Sequence, residues 1–285
     1  MLKKIVNLKT GLLLAFILLL GGCSASFTYN NIGWLSGFWI DDYVDLDKQQ
    51  TKTIKRLVKE TRDWHRKTQL PLYKTDLVHL QQLLAESPSQ AELITHFTNS
   101  KGHWQILVNK IAQPLIDVAM TLDPEQRQYF IEAIKEQMEE ELHEFSDQTA
   151  KERKAERLEE QLQRYKDWLG KLSTEQVSLI TEANEQHIST FIMWQQYKQI
   201  RLNALADTFS GPLLSENQFT ENMMHIITQR HAFMSDALKQ ADKQNLALYA
   251  TLLIDLRATL STKQIEKANK KFNEMIEQID DLIAG

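Results

Sequence analysis

The chain has 285 residues, with 33 Lys and Arg against 38 Asp and Glu, for a formal charge of −5. A mildly acidic surface repels nucleic acid and anionic lipid heads, which excludes both as partners held by bulk charge. Only nine glycines and five prolines occur, and the dominant residues, Leu, Gln, Glu, Lys and Ala, are strong helix formers.

Lys3, Lys4 and Lys9 open the chain with no acidic residue among them, and an almost wholly aliphatic run follows from Leu12 to Leu20. A charged start, a short apolar stretch and small residues at its end form a signal peptide. The stretch is too short to span a bilayer, which needs about 20 apolar residues. It closes on Leu20-Gly21-Gly22-Cys23, and Cys23 is the sole cysteine of the chain. An unpaired thiol is out of place in an exported protein unless it is consumed. The order Leu-small-Gly-Cys resembles a bacterial lipobox. That resemblance implies cleavage before Cys23, a diacylglycerol on its sulfur and an acyl chain on its nitrogen (palmitate in type), hence a permanent membrane anchor. Ser24 follows the cysteine where an Asp would favour the inner membrane, so the expected location is the outer membrane, facing the periplasm. Cleavage removes three of the 33 basic residues and none of the 38 acidic ones, taking the charge from −5 to −8.

Residues 1–22 are therefore expected as a cleaved signal peptide, 23–45 as an aromatic-rich anchor segment and 46–285 as a helical domain. The anchor segment holds Phe27, Tyr29, Trp34, Phe38, Trp39 and Tyr43, where a lipoprotein tether is ordinarily polar and flexible. Trp34, Phe38, Trp39 and Tyr43 form a candidate interaction strip. Three placements are open to it: the membrane interface, where Trp and Tyr favour the headgroup level; a partner protein; or the helices of its own chain. Asp41, Asp42, Asp45 and Asp47 follow. They lack the glycine turn and terminal Glu of a calcium loop, and Asp47 reads as a helix cap.

From Lys48 onward apolar residues recur three and four apart. Examples are Ile54, Leu57, Val58 and Trp64; Trp104, Leu107, Val108, Ile111 and Leu115; Ile131, Ile134, Met138, Leu142 and Phe145; and Phe272, Met275, Ile276 and Ile279. Each row is one apolar face of a helix. Pro71, Pro88, Gly102, Gly170 and Gly211-Pro212 read as breaks. No segment alternates as a strand does, so the fold class is all-α, an antiparallel helical bundle or a helical-hairpin array. The charged stretch from Glu132 to Trp168 suits either a helix laid on the bundle or an arm projecting from it.

One short pattern recurs five times: Leu46…Gln50, Leu122…Gln126, Leu172…Gln176, Leu214…Gln218 and Leu260…Gln264, each with Asp or Ser after the Leu. This is a helix start. The Asp or Ser accepts a bond from an orphan backbone N–H, and the Gln three residues on reaches back to the cap's own N–H. The last four copies lie 50, 42 and 46 residues apart, an interval that fits two helices per unit. Gly170 ends a helix just before Leu172 opens the next, where a glycine in the left-handed conformation would allow a tight turn between antiparallel helices.

The five boxes are similar to the Leu-Thr-x-x-Gln motif of Spy/CpxP-type periplasmic proteins, although Thr never follows the Leu here. That resemblance implies an all-helical, ATP-independent chaperone or stress-response modulator. The front of the mature chain, Tyr29-Asn30-Asn31-Ile32-Gly33-Trp34 and then Trp39-Ile40-Asp41-Asp42-Tyr43, resembles an uncharacterised family of proteobacterial lipoproteins. It implies a lipobox followed by a long helical domain, and no known activity.

No phosphate loop, Gly-x-Ser-x-Gly or His-Glu-x-x-His occurs, so no motif proposes an enzyme, a cofactor or a metal. The eight histidines are scattered, and read as surface or half-buried residues. The expectation is a non-enzymatic, lipid-anchored interaction or scaffold protein. Its partners would be the membrane, through Cys23, and an envelope protein.

Overall fold

A computed structural model describes residues 22–210 and 214–285. Leu20 and Gly21 of the lipobox and the Gly211-Pro212 break lie outside the described residues. Among those described, twelve α-helices and one 3₁₀ turn occur and no strand. The helices are α1 (Gly22–Asn30), α2 (Ile32–Asp41), α3 (Lys48–Thr68), α4 (Leu70–Ala85), α5 (Gln90–Met120) and α6 (Pro124–Asp147). They continue with α7 (Ala150–Leu169), α8 (Thr174–Gln186), α9 (Phe191–Ser210), α10 (Glu216–Thr228), α11 (Asp236–Ala258) and α12 (Thr262–Ala284). The all-α class read from the periodicity is what the chain adopts.

Helix α5 organises the bundle. It is 31 residues long, about 46 Å at 1.5 Å per residue, and it packs against α3, α4, α10 and α11. One core forms where α5 meets α9 and α10. Ile116, Ala119, Leu122, Phe209, Phe219, Met223 and Ile226 are buried there together with Val44. A second gathers Ile180, Leu252 and Leu256 with Leu158, Leu162 and Tyr165 from α7, α8 and α11. The C-terminal helix α12 closes the bundle against α4 and α7 and reaches α1.

Gly102 does not break its helix. It lies inside α5, with open space where a Cβ would stand. A mid-helix glycine costs about 1 kcal/mol, which the burial of Leu93, Val108 and Ile116 on the same helix outweighs at about 1.5–3 kcal/mol per side chain. Pro71 likewise sits in the first turn of α4, where a missing N–H costs nothing. Gly170 does end its helix, but not in the left-handed conformation expected from the sequence. Its φ is +80° and its ψ −138°, outside the left-handed helical well and in a region open essentially to glycine alone. Its N–H donates to the carbonyl of Lys166 at 2.8 Å.

The charged stretch from Glu132 to Trp168 is divided between α6 and α7. Helix α6 lies along α9, and α7 lies along α8 and α12. At the elbow, Phe145 stacks on Phe191 with ring centroids 4.0 Å apart, and the Arg153 guanidinium sits 3.8 Å over the Phe145 ring. Both helices are laid on neighbours along part of their length.

Candidate interaction surfaces and the paired helix starts

All five Leu-x-x-x-Gln boxes form reciprocal capping boxes, with Asp47, Asp123, Ser173, Ser215 and Ser261 as the caps. What the spacing did not reveal is that four of them pair. Gln50 Nε2 donates to Gln126 Oε1 at 3.0 Å, and Gln126 Nε2 donates back to Gln50 Oε1 at 2.8 Å. Gln176 and Gln264 repeat the exchange at 3.1 and 2.9 Å. In each pair the amide also donates to the carbonyl just before its partner's Leu: Gln50 to Thr121, Gln126 to Asp45, Gln176 to Thr259 and Gln264 to Lys171. A primary amide carries two donors and an acceptor with two lone pairs. It therefore caps its own helix and a neighbouring turn at once. Among the described residues the box at Leu214 has no partner box: Gln218 is exposed and bonds within its own cap. The pairing skips this box, so the regular interval reflects two clamps and a lone start in a bundle.

The anchor segment is helical, and its aromatics divide between two faces. Helix α2 packs on α3, and α1 on α12. Tyr29 turns inward: its hydroxyl lies 3.0 Å from His65 Nδ1. Asn30 accepts from Arg62 at 2.8 Å and pairs with Arg66. Tyr43 turns inward as well, bonding Gln137 and meeting the Phe130 ring edge-on. Phe27, Trp34, Phe38 and Trp39 point outward and are 60, 61, 56 and 43 % exposed. Trp34 and Phe38, one turn apart, touch edge to face at 4.9 Å. Among the four strip residues read from sequence, Tyr43 therefore belongs to the packing and Trp34, Phe38 and Trp39 to the surface.

Folding gathers histidines that looked scattered. His65 from α3, His79 from α4, and His96 and His103 from α5 line the seam between these helices. The His65 ring bridges the hydroxyls of Tyr29 and Tyr73, at 3.0 and 3.2 Å. His103 Nε2 lies 2.7 Å from an Asp76 carboxylate oxygen, which also accepts from Ser100 at 2.9 Å. His79 and His96 meet Nδ1 to Nδ1 at 3.2 Å. Burial lowers the His65 pKa to about 4, helped by nearby His103. Burial also lowers His96, with the Asp76 charge opposing, and raises Tyr29 to about 12. His65, His96 and Tyr29 are therefore neutral hydrogen-bonding groups at pH 7. Among the described residues, no three His, Cys, Asp or Glu side chains are arranged to hold a metal ion. Sequence spacing could not reveal this seam, because its members come from three helices.

A second surface feature is a cleft of about 190 Å³ between α5, α9 and the 3₁₀ turn Arg230–Ala232. Trp104, Gln105, Tyr197, Arg201 and Arg230 stand around it, and no carboxylate lines it. Arg201 donates to the Tyr197 hydroxyl at 3.2 Å and to the Ile226 carbonyl at 2.9 Å, ending α10. Its buried Nε has no partner. Arg230 lies 4.8 Å over the Trp194 ring. Two guanidinium groups without a lining acid make this cleft locally positive in a chain of net negative charge.

A family model described as a family of unknown function (DUF6279) matches residues 42–239. The match starts inside the Asp-Asp-Tyr segment that suggested an uncharacterised family. Comparisons with curated proteins and with solved structures give no match.

Proposed function

The chain belongs to the family of unknown function DUF6279, and from that premise we propose an outer-membrane lipoprotein that faces the periplasm and binds another envelope protein without catalysing a reaction. The observation that carries the anchor is Leu20-Gly21-Gly22-Cys23 directly after a signal-type apolar run. The cleft around Trp104, Arg201 and Arg230 supports the binding role. It presents an aromatic rim and two guanidinium groups, one with an unpaired N–H, a combination frequent at the energetic centres of protein interfaces.

Two measurements test the proposal. In Cys23→Ala, the mature lipidated species should vanish from the outer-membrane fraction; unchanged attachment there ends the anchor reading. A photoreactive residue at Trp104 should capture one defined protein in cells, and Arg201→Glu should abolish the capture. Absence of a cross-link, or one indifferent to Arg201→Glu, overturns the binding role. A Spy/CpxP-like holdase is the second reading, favoured by the five formed boxes. It predicts many unrelated captured clients and slower client aggregation without ATP.

A further inference from the structure

Residues 23–40 carry no charged side chain, in a chain where a quarter of all residues are charged. Over this stretch the structure exposes Phe27, Trp34, Phe38 and Trp39, while the opposite side of the two helices is fixed to the bundle through Tyr29, Asn30 and the packing of α2 on α3. Soluble surfaces rarely leave four large aromatics uncovered on one short segment. The helix carrying the back of this segment is unusual in the other sense. Helix α3 reads KQQTKTIKRLVKETRDWHRKT, with eight Lys and Arg against Glu60 and Asp63 alone. Lys52, Lys55, Arg56, Lys59 and Lys67 are exposed, and Arg62 and Arg66 meet Asn30 of α1. The acidic balance of the whole chain thus hides a basic helix beside the aromatic strip. Asp41, Asp42, Asp45 and Asp47 bound this region at the turn from α2 into α3.

We infer that the aromatic strip of α1–α2 lies in the headgroup layer of the leaflet that holds the chain, with the basic helix α3 beside the lipid phosphates. The inference rests on Cys23 being the anchor, because Phe27 follows it by one helical turn and is thereby held at the leaflet. Aromatic side chains, Trp above all, favour that layer because they join an apolar body to a polar edge. Basic residues next to a membrane surface add attraction to anionic lipid. The strip would then set the orientation of the bundle on the membrane, converting a flexible tether into a fixed mount. The strip itself is uncharged and directly follows Cys23, which favours the leaflet over a protein partner as its occupant.

The test uses the full mature lipoprotein reconstituted in vesicles of phosphatidylethanolamine and phosphatidylglycerol with brominated acyl chains, which quench tryptophan on contact. Two of the six tryptophans, Trp34 and Trp39, should be quenched. Trp34→Phe/Trp39→Phe should remove the quenched part of the emission and leave the rest, since Phe preserves packing. Intact mass of the N-terminal peptide reports acylation separately. An acylated protein whose Trp34 and Trp39 emission is unaffected by brominated lipid overturns the inference while leaving the anchor standing. So does a photoreactive residue at Phe38 that captures protein and no lipid. A protein found without acylation removes the anchor, and with it the inference that rests on it, whether or not its strip is quenched.

Discussion

Gln176→Ala and Gln218→Ala change the same residue of the same box, and the structure predicts very different costs. Gln176 is fully buried. Its oxygen accepts from the Ser173 N–H at 3.0 Å and from Gln264 Nε2 at 2.9 Å, and its nitrogen donates to Gln264 Oε1 and to the Thr259 carbonyl. Four hydrogen bonds at about 1 kcal/mol each amount to about 4 kcal/mol, and the groups left unpaired in a buried site add to it. Gln218 is exposed and serves its own cap, so its loss costs about 0.5–1 kcal/mol. Urea unfolding of the purified protein, followed by circular dichroism, reads both as midpoint shifts at constant slope. Gln264→Ala should resemble Gln176→Ala, and the double variant should fall short of the sum by about 1–3 kcal/mol, because the two share one interaction. Equal losses at Gln176 and Gln218, or strict additivity of Gln176 and Gln264, would refute the clamp.

The protein should lose stability as pH falls from about 6.5 to about 4. The depressed pKa of His65 means that the unfolded chain takes up its proton first and the folded chain resists it, so the loss begins at the unfolded value and is complete below the folded one. The full shift corresponds to about 3 kcal/mol, and allowing for the ring's partial exposure leaves roughly half. Comparing urea midpoints at pH 7 and pH 4.5 measures this, and His65→Asn should flatten the difference. Gly170→Ala should cost about 1–3 kcal/mol through its φ of +80° and lower Tm by several degrees. Because Lys267 stands at ordinary contact distance from the new Cβ, a loss well above that range would point to packing in place of backbone strain.

The helices were legible because periodicity and caps are local. The rows at Trp104–Leu115 and Ile131–Phe145 lie in α5 and α6, and every predicted box caps the helix it announces. Gly102 misled because local propensity was weighed without the burial on either side of it. The glutamine pairs and the cleft of Trp104 with Arg201 and Arg230 were illegible because they join helices far apart in sequence, as Gln176 and Gln264 do across 88 positions, and the histidine seam because it depends on how three successive helices pack. The glutamines alone left a sign, since their type is fixed in all five boxes whereas a cap tolerates Glu as well. Ser89 and Thr149, which head boxes closed by Glu92 and Glu152, show that capping by itself does not demand the amide.

Helix α12 begins beyond residue 239, where the family match stops, yet it supplies Gln264, lies along α4 and α7, and touches α1 at the opposite end of the chain. Lys74 of α4 holds Asp280 near its tip at 2.7 Å. A polypeptide cut to the limits of the family match would lack α1, α2, nearly all of α11 and the whole of α12, and would expose the seats these helices occupy. The carboxyl end also returns to the neighbourhood of the amino-terminal helices, so any appendage fused after Gly285 would emerge beside α1 and the Arg66 end of α3.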